Sequence, residues 1–149
     1  MTRTDFLRAL CVIPAIFTAR LSAAATQVTV FKTPACGCCG HWVEHMKANG
    51  FDLKVQDVDD TSEYRRRYGV PDNLASCHTA VVENYAIEGH VPAADVQRLL
   101  KTRPKAKGLA VPGMVMGSPG MEGGRGDAYA VILFEADGRT SVFQNYPRK

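Results

Sequence analysis

Val28-Thr29-Val30-Phe31-Lys32-Thr33-Pro34-Ala35-Cys36-Gly37-Cys38-Cys39 is the stretch from which the rest of the chain is read. The β-branched and aromatic run Val28 to Phe31 predicts a strand. Thr33-Pro34-Ala35 ends it. From Cys39 or Gly40 to Asn49 the apolar residues Trp42, Val43 and Met46 recur at helical spacing, and Asn49-Gly50 is a stop signal. Between strand and helix lie three cysteines in four positions. Cys36 and Cys39 form a C-x-x-C, whose sulfurs can bond to each other or share a metal ion. Cys38 is a third thiol that an ordinary redox pair does not need. The turn is therefore a thiol–disulfide site or a soft-metal site.

Upstream, residues 1–25 read as a cleaved signal peptide. Arg3 and Arg8 give a basic start, Leu10 to Phe17 is a short apolar run, and Ser22-Ala23-Ala24-Ala25 supplies small residues for cleavage. The run is shorter than the ~20 apolar residues that span a bilayer. A buried N-terminal helix is the competing reading, and Arg20 gives it some weight. Cys11 follows Arg8-Ala9-Leu10, which does not resemble a lipoprotein box. The mature chain, residues 26–149, is expected to be one domain in the periplasm. Cleavage removes three arginines and Asp5 from a net charge of +3, leaving about +1. That balance points to no nucleic acid and to no membrane partner after cleavage. Four cysteines remain, Cys36, Cys38, Cys39 and Cys77. Two structural disulfides would be the default in an exported protein. Adjacent cysteines such as Cys38 and Cys39 bridge poorly, so exchange or metal binding suits the cluster better.

Downstream, Phe51 to Val58 alternates as a strand, and Thr61 to Tyr68 reads as a short basic helix ended by Gly69-Val70-Pro71. Arg65-Arg66-Arg67 within it is expected to be a solvated face, with a partner-docking patch as the other option. Thr79 to Val82 and Tyr85 to Ile87 predict a hairpin turning at Glu83-Asn84. Pro92 opens a helix carrying Val96, Leu99 and Leu100, which ends near Arg103-Pro104. Gly108 to Asp127 is rich in Gly, Pro and Met and reads as a long loop. Ala130 to Phe134 and Thr140 to Tyr146 predict a C-terminal β-hairpin across Asp137-Gly138.

A strand, a C-x-x-C opening a helix and the order β-α-β-α-β-β-α resemble the thioredoxin-like α/β fold over roughly Val28 to Leu100. That resemblance implies a first cysteine at a helix N-terminus and a facing loop, before the third strand, that normally carries a cis-proline. Here the facing loop reads Ser76-Cys77-His78-Thr79. A thiol and an imidazole stand in the proline's place, and Pro71 lies too early to fill it.

Three longer motifs are more specific. Thr33-Pro34-Ala35-Cys36-Gly37-Cys38-Cys39-Gly40-His41-Trp42 is the first. Leu74-Ala75-Ser76-Cys77-His78-Thr79-Ala80-Val81-Val82, followed by Tyr85 to Pro92, is the second. Gly108 to Met114 with Gly117 to Glu122 is the third. Together they resemble the bacterial family of predicted metal-binding proteins of unknown function that includes the CopG-type proteins of copper-resistance gene clusters. The resemblance implies an exported thioredoxin-like protein that handles copper, with copper ions and other periplasmic copper-handling proteins as partners. Turnover is left open; a copper oxidoreductase is the enzymatic option.

The donor types agree with that implication. Thiolates and thioethers prefer Cu(I), and imidazole suits copper in either oxidation state. Cys36, Cys38, Cys39 and Cys77 offer enough thiolates to bridge more than one Cu(I). Met114, Met116 and Met121 lie in one Gly-Pro loop that builds no core, and ligation by at least one is expected. Met46, on an apolar helical face, is expected in the core. His78 adjoins Cys77. His41 and His45 share a face of the first helix, His41 within about a turn of Cys38 and His45 a turn farther off, where a satisfied surface histidine is the alternative to a ligand. His90 enters the candidate ligand set through the family motif. Trp42 either shields the site or packs in the core. A zinc site built from the C-x-x-C, Cys77 and His78 would leave the third thiol and the Met loop without a role. The expected function is Cu(I) binding, with interconversion of Cu(I) and Cu(II) as an extension. A periplasmic thiol–disulfide oxidoreductase and a passive copper chaperone or buffer are the alternatives.

Overall fold

In β1 (Gln27–Lys32), Val28 and Val30 are buried on one face of the strand, and Phe31 is buried on the other against the rings of Tyr64 and Tyr68. This is a computed structural model, and it describes residues 24–149. The expected signal segment, 1–25, lies outside the described residues except for Ala24 and Ala25.

After β1 come α1 (Gly37–Ala48), β2 (Asp52–Asp57), α2 (Ser62–Arg67) and a single 3-10 turn at Asp72–Leu74. Then follow β3 (His78–Val82), β4 (Tyr85–Glu88) and α3 (Ala93–Thr102). The predicted order β-α-β-α-β-β-α is the observed one. The first helix begins at Gly37, two to three residues earlier than its apolar spacing suggested, because Cys36 takes an extended N-cap conformation and the cysteines themselves form the first turn. α1 turns Cys39, Trp42, Val43 and Met46 inward, and the apolar stripe is what seats it on the sheet.

The segment expected to be loop from Gly108 onward holds a further strand, β5 (Gly108–Ala110), before the loop proper. β5 pairs parallel with β4 and antiparallel with β6 (Tyr129–Phe134), which pairs with β7 (Thr140–Tyr146). The C-terminal hairpin is therefore not an appendage. It is the far edge of one seven-stranded sheet in the order β2-β1-β3-β4-β5-β6-β7. A three-residue strand beginning with Gly has too little pattern to register in sequence, and tertiary pairing makes it. Tyr146 donates to the buried carboxylate of Asp95 on α3 at 2.6 Å, and Arg98 bonds both Asp95 and the Phe143 carbonyl, which fastens β7 to the helix layer.

Parallel pairing of β1 with β2 and antiparallel pairing of β1 with β3 set the frame of the site. In the second ladder Lys32 lies opposite His78. The turn that follows β1 and the residue that precedes β3 thus meet at one end of the sheet. Gly108 is where β5 comes closest to its neighbour: a Cβ there would collide with the Ala86 carbonyl and approach the Phe134 ring to 2.9 Å. Gly108→Ala is expected to lower unfolding free energy by about 1–3 kcal/mol, the usual cost of forcing atoms into a packed site, measured by chemical denaturation; an unchanged midpoint would show that the β4–β5 contact is not tight.

Candidate metal centre

Cys36 caps α1 and its backbone N–H is held by the Thr33 carbonyl at 3.1 Å, so its sulfur stands at the positive end of the helix. Cys36 and Cys39 are joined as a disulfide. Cys38 and Cys77 are free, half-buried thiols. Cys38 Sγ lies 3.6 Å from Cys36 Sγ, and Cys39 Sγ lies 3.8 Å from the carbonyl oxygen of Cys77. All four sulfurs fall within 4.8 Å of one another. The Cys77 loop faces the cysteine turn, and no peptide bond among the described residues is cis.

Cys77 also belongs to a second cluster. Its sulfur is 3.0 Å from Nε2 of His90 and 3.5 Å from Nδ1 of His78, and the three donors lie within 4.8 Å of one another. Both imidazoles are buried. The Trp42 ring packs on His78 with centroids 4.5 Å apart, and its N–H donates to the Val91 carbonyl at 2.8 Å. Trp42 thereby fills both roles weighed for it, core packing and a wall of the site.

His78 Nε2 and His90 Nδ1 are buried nitrogens with no hydrogen-bond partner in the described structure. These are the ring nitrogens turned away from Cys77: the nitrogens within reach of its sulfur are Nδ1 of His78 and Nε2 of His90. Burial, with His90 and Lys32 nearby, pushes the His78 imidazolium down to about 3, so the ring is neutral at pH 7 and free to donate a lone pair. Burial likewise lowers His90, opposed by the Pro119 carbonyl and the Glu122 carboxylate; Pro119 lies nearby without making a hydrogen bond of good geometry. Desolvation pushes the Cys77 thiol up to about 12, against the Ser76 hydroxyl, so a metal ion taking this sulfur must displace its proton.

The Met loop covers the other side. Gly113 N–H bonds the Ala75 carbonyl at 3.0 Å and Ser76 Oγ donates to the Gly113 carbonyl, which ties the loop to the Cys77 segment. Gly120, with φ of 89°, sits where a Cβ would come within 2.8 Å of the Cys38 carbonyl and the Trp42 nitrogen. Only glycine allows both that conformation and that approach. Met114 and Met121 thus follow the loop's two anchor points; Met114 is 59 % exposed, while Met116 and Met121 are half-buried. His41 is exposed on α1 and joins neither donor cluster. His45 has a structural role, its Nε2 accepting the Ala93 N–H at 3.0 Å at the start of α3. Met46 is in the core, as expected.

Two residues of the site's framework escaped the sequence reading. Glu88 is fully buried and ion-paired at 3.0 Å with Arg65, a residue expected on a solvated face and found 15 % exposed. The available signal was a lone carboxylate closing the apolar run Tyr85-Ala86-Ile87, since a buried glutamate requires a partner.

A family model described as a protein of unknown function, DUF411, matches residues 74–121. Two solved structures, "Copper resistance protein copG- Form 2" and "Copper resistance protein copG- Form 1", are each 44 % identical to the chain at a TM-score of 0.79. The likeness covers 83 % of this chain and 99 % and 98 % of theirs. The chain belongs to the CopG-type family. Among curated proteins none matches it. The matched family segment takes in Cys77, His78 and His90 together with Met114, Met116 and Met121, so the facing loop and the Met loop carry the family signature while the cysteine turn lies upstream of it.

A pKa held below its unfolded value of 6.5 contributes stability above that value and loses it as pH falls toward about 3. The metal-free protein is therefore expected to lose thermal stability progressively across that window. Glu88, raised by burial, acts with the opposite sign. His78→Asn isolates the histidine's share and should flatten the decline; an unchanged slope in thermal unfolding at stepped pH would remove His78 as its source.

Proposed function

We propose that this is an exported copper-resistance protein that binds Cu(I) through the sulfur cluster of Cys36, Cys38, Cys39 and Cys77, with His78 and His90 beside it. One observation carries the reading: four sulfurs mutually within 4.8 Å, one of which, Cys77 Sγ, also stands 3.0 Å from His90 Nε2 and 3.5 Å from His78 Nδ1. Soft thiolates select Cu(I), and a neutral imidazole holds copper in either oxidation state. Met114, Met116 and Met121 would add thioether donors from the loop anchored on both sides of the cluster; His41, exposed nearby on α1, is the most peripheral candidate. The relatives at 44 % identity are copper resistance proteins by name, which supports copper over zinc as the cargo.

The Cys36–Cys39 disulfide ties up two of the four sulfurs. It must take up two electrons and two protons to become a dithiol before those sulfurs accept metal, and the thiols then release protons as copper binds. Copper occupancy and disulfide formation therefore compete for the same atoms; were the Cys36/Cys39 dithiol to close to the disulfide against Cu(II), the two electrons released would reduce two Cu(II) to two Cu(I) as two protons leave the thiols. The strand order β2-β1-β3-β4, with β3 antiparallel to β1, supports a thioredoxin-like frame for the site. The disulfide at a helix N-terminus also favours a second reading, a thiol–disulfide oxidoreductase. Against it stand Cys38 beside the pair, placed to intercept a mixed disulfide, and Cys77-His78 where such enzymes keep a proline.

Anaerobic titration of the reduced mature chain with Cu(I) against a competing chelator, with metal analysis, tests the copper reading. Tight Cu(I) binding is expected, and Cys36→Ser with Cys39→Ser should lower affinity roughly tenfold or more, at least the loss typical of changes around a metal site. A double variant that titrates like the parent would place the site elsewhere.

Export rests on the basic start, apolar run and small residues of the N-terminal segment. Among the described residues no helix is long and apolar enough to cross a membrane. N-terminal sequencing of protein recovered from the periplasm is expected to begin near Thr26, and an intact Met1 would refute cleavage.

A further inference from the structure

We infer that the buried Arg65–Glu88 ion pair is the positioning device of the donor site, holding Cys77, His78 and His90 in place from behind. Glu88 closes β4 and has no exposed surface. One oxygen accepts the Ser76 backbone N–H at 2.7 Å and the Arg65 Nε–H at 3.0 Å, and the other accepts the Thr79 hydroxyl at 2.7 Å. Arg65 Nη2 reaches past the carboxylate to donate to the Ser76 carbonyl at 3.1 Å. Both backbone polar groups of Ser76 are thus held by one charged pair, and Thr79 is held by the same carboxylate. Cys77 and His78 are the two residues between these attachments.

The third donor is tied to the same point. Glu88 is followed by Gly89, whose missing side chain lets the chain pass against Ser76 and the Val111 carbonyl. Gly89 N–H bonds the His78 carbonyl at 3.0 Å, and the next residue is His90. Every donor of the Cys77–His78–His90 cluster therefore lies within two residues of a group bonded to Glu88, or of Glu88 itself. A buried charge is tolerated when it is paired and its remaining lone pairs are filled, and here the bonds that fill them are the ones that fix the loop. The hydrogen bonds are charge-assisted, hence short and directional, which suits a task of fixing geometry. Arg65 comes from α2, whose neighbours Arg66 and Arg67 are exposed, so one residue of a basic run is drawn inward while the others remain in solvent.

Two variants separate positioning from stability. Glu88→Gln keeps an acceptor of the same shape and removes the charge. Arg65→Met with Glu88→Met removes both charges, so that neither is left buried alone. Far-UV circular dichroism and cooperative thermal unfolding establish folding. The first readout uses metal-free protein with the Cys36–Cys39 disulfide intact: the rate at which iodoacetamide alkylates Cys77, followed by mass spectrometry. With the loop released, the half-buried thiol gains access to the reagent, and a rise of about tenfold is expected. The second readout is Cu(I) affinity of the reduced protein by chelator competition. This arm rests on the copper reading above, and a fall of about tenfold is expected, as for other residues that orient ligands from behind. A parent protein that fails to bind Cu(I) would sink the copper reading alone, because the alkylation arm needs no metal. Folded variants whose Cys77 alkylation stays within about twofold of the parent would overturn the positioning role. Loss of folding in both variants would overturn it as well, since the pair would then be holding the sheet rather than the loop.

Discussion

The antiparallel register of β1 on β3 is the constraint on which the site depends. Lys32 faces His78 across that ladder, so the residues that leave β1 and the residue that enters β3 emerge at the same end of the sheet. The cysteine turn begins four residues after Lys32, and Cys77 immediately precedes His78. A slip of one residue would send every side chain of β3 to the opposite face. Val28, Val30, Ala80 and Val82, all buried, make such a slip costly. The apolar pattern that stabilises the sheet is therefore also what brings sulfurs separated by some forty residues of chain within 4.8 Å.

Around that meeting point the packing excludes water from one side more than the other. Trp42 lies against His78, His78 lies near His90, and the Met loop closes on the first turn of α1 through Gly120. The consequence is electrostatic. In a site short of water the charged form of each group is disfavoured, so the histidines are kept neutral and the Cys77 thiol keeps its proton. A cation changes the balance: it favours thiolate over thiol and finds imidazoles already unprotonated. A site arranged in this way is hostile to its own ionisation and receptive to a soft cation.

Much of this was legible in the residues. The C-x-x-C between strand and helix, the hairpin at Glu83-Asn84 and the core role of Met46 follow from spacing and local chemistry, and the structure has them, whereas the bond from His45 to the start of α3 was not foreseen. What was not legible depends on long-range partners. β5 is three residues long and exists because β4 and β6 lie on either side of it. Arg65 reads as one of three surface arginines until the carboxylate of Glu88, twenty-three residues away, is seen to hold it. The N-cap position of Cys36 was blurred for a different reason: the first turn of α1 carries cysteines and glycines rather than apolar residues, so helical periodicity begins only after the helix has begun.

The disulfide and the open donors together describe two conditions of one site. With Cys36 and Cys39 joined, Cys38 and Cys77 are the thiols that remain, and Cys77 still stands among two imidazoles. Reduction of the pair doubles the number of thiols from two to four, with Cys36 and Cys39 on one helical turn and Cys77 on the facing loop. The state of the Cys36–Cys39 pair thus decides how many sulfur donors the cluster can offer.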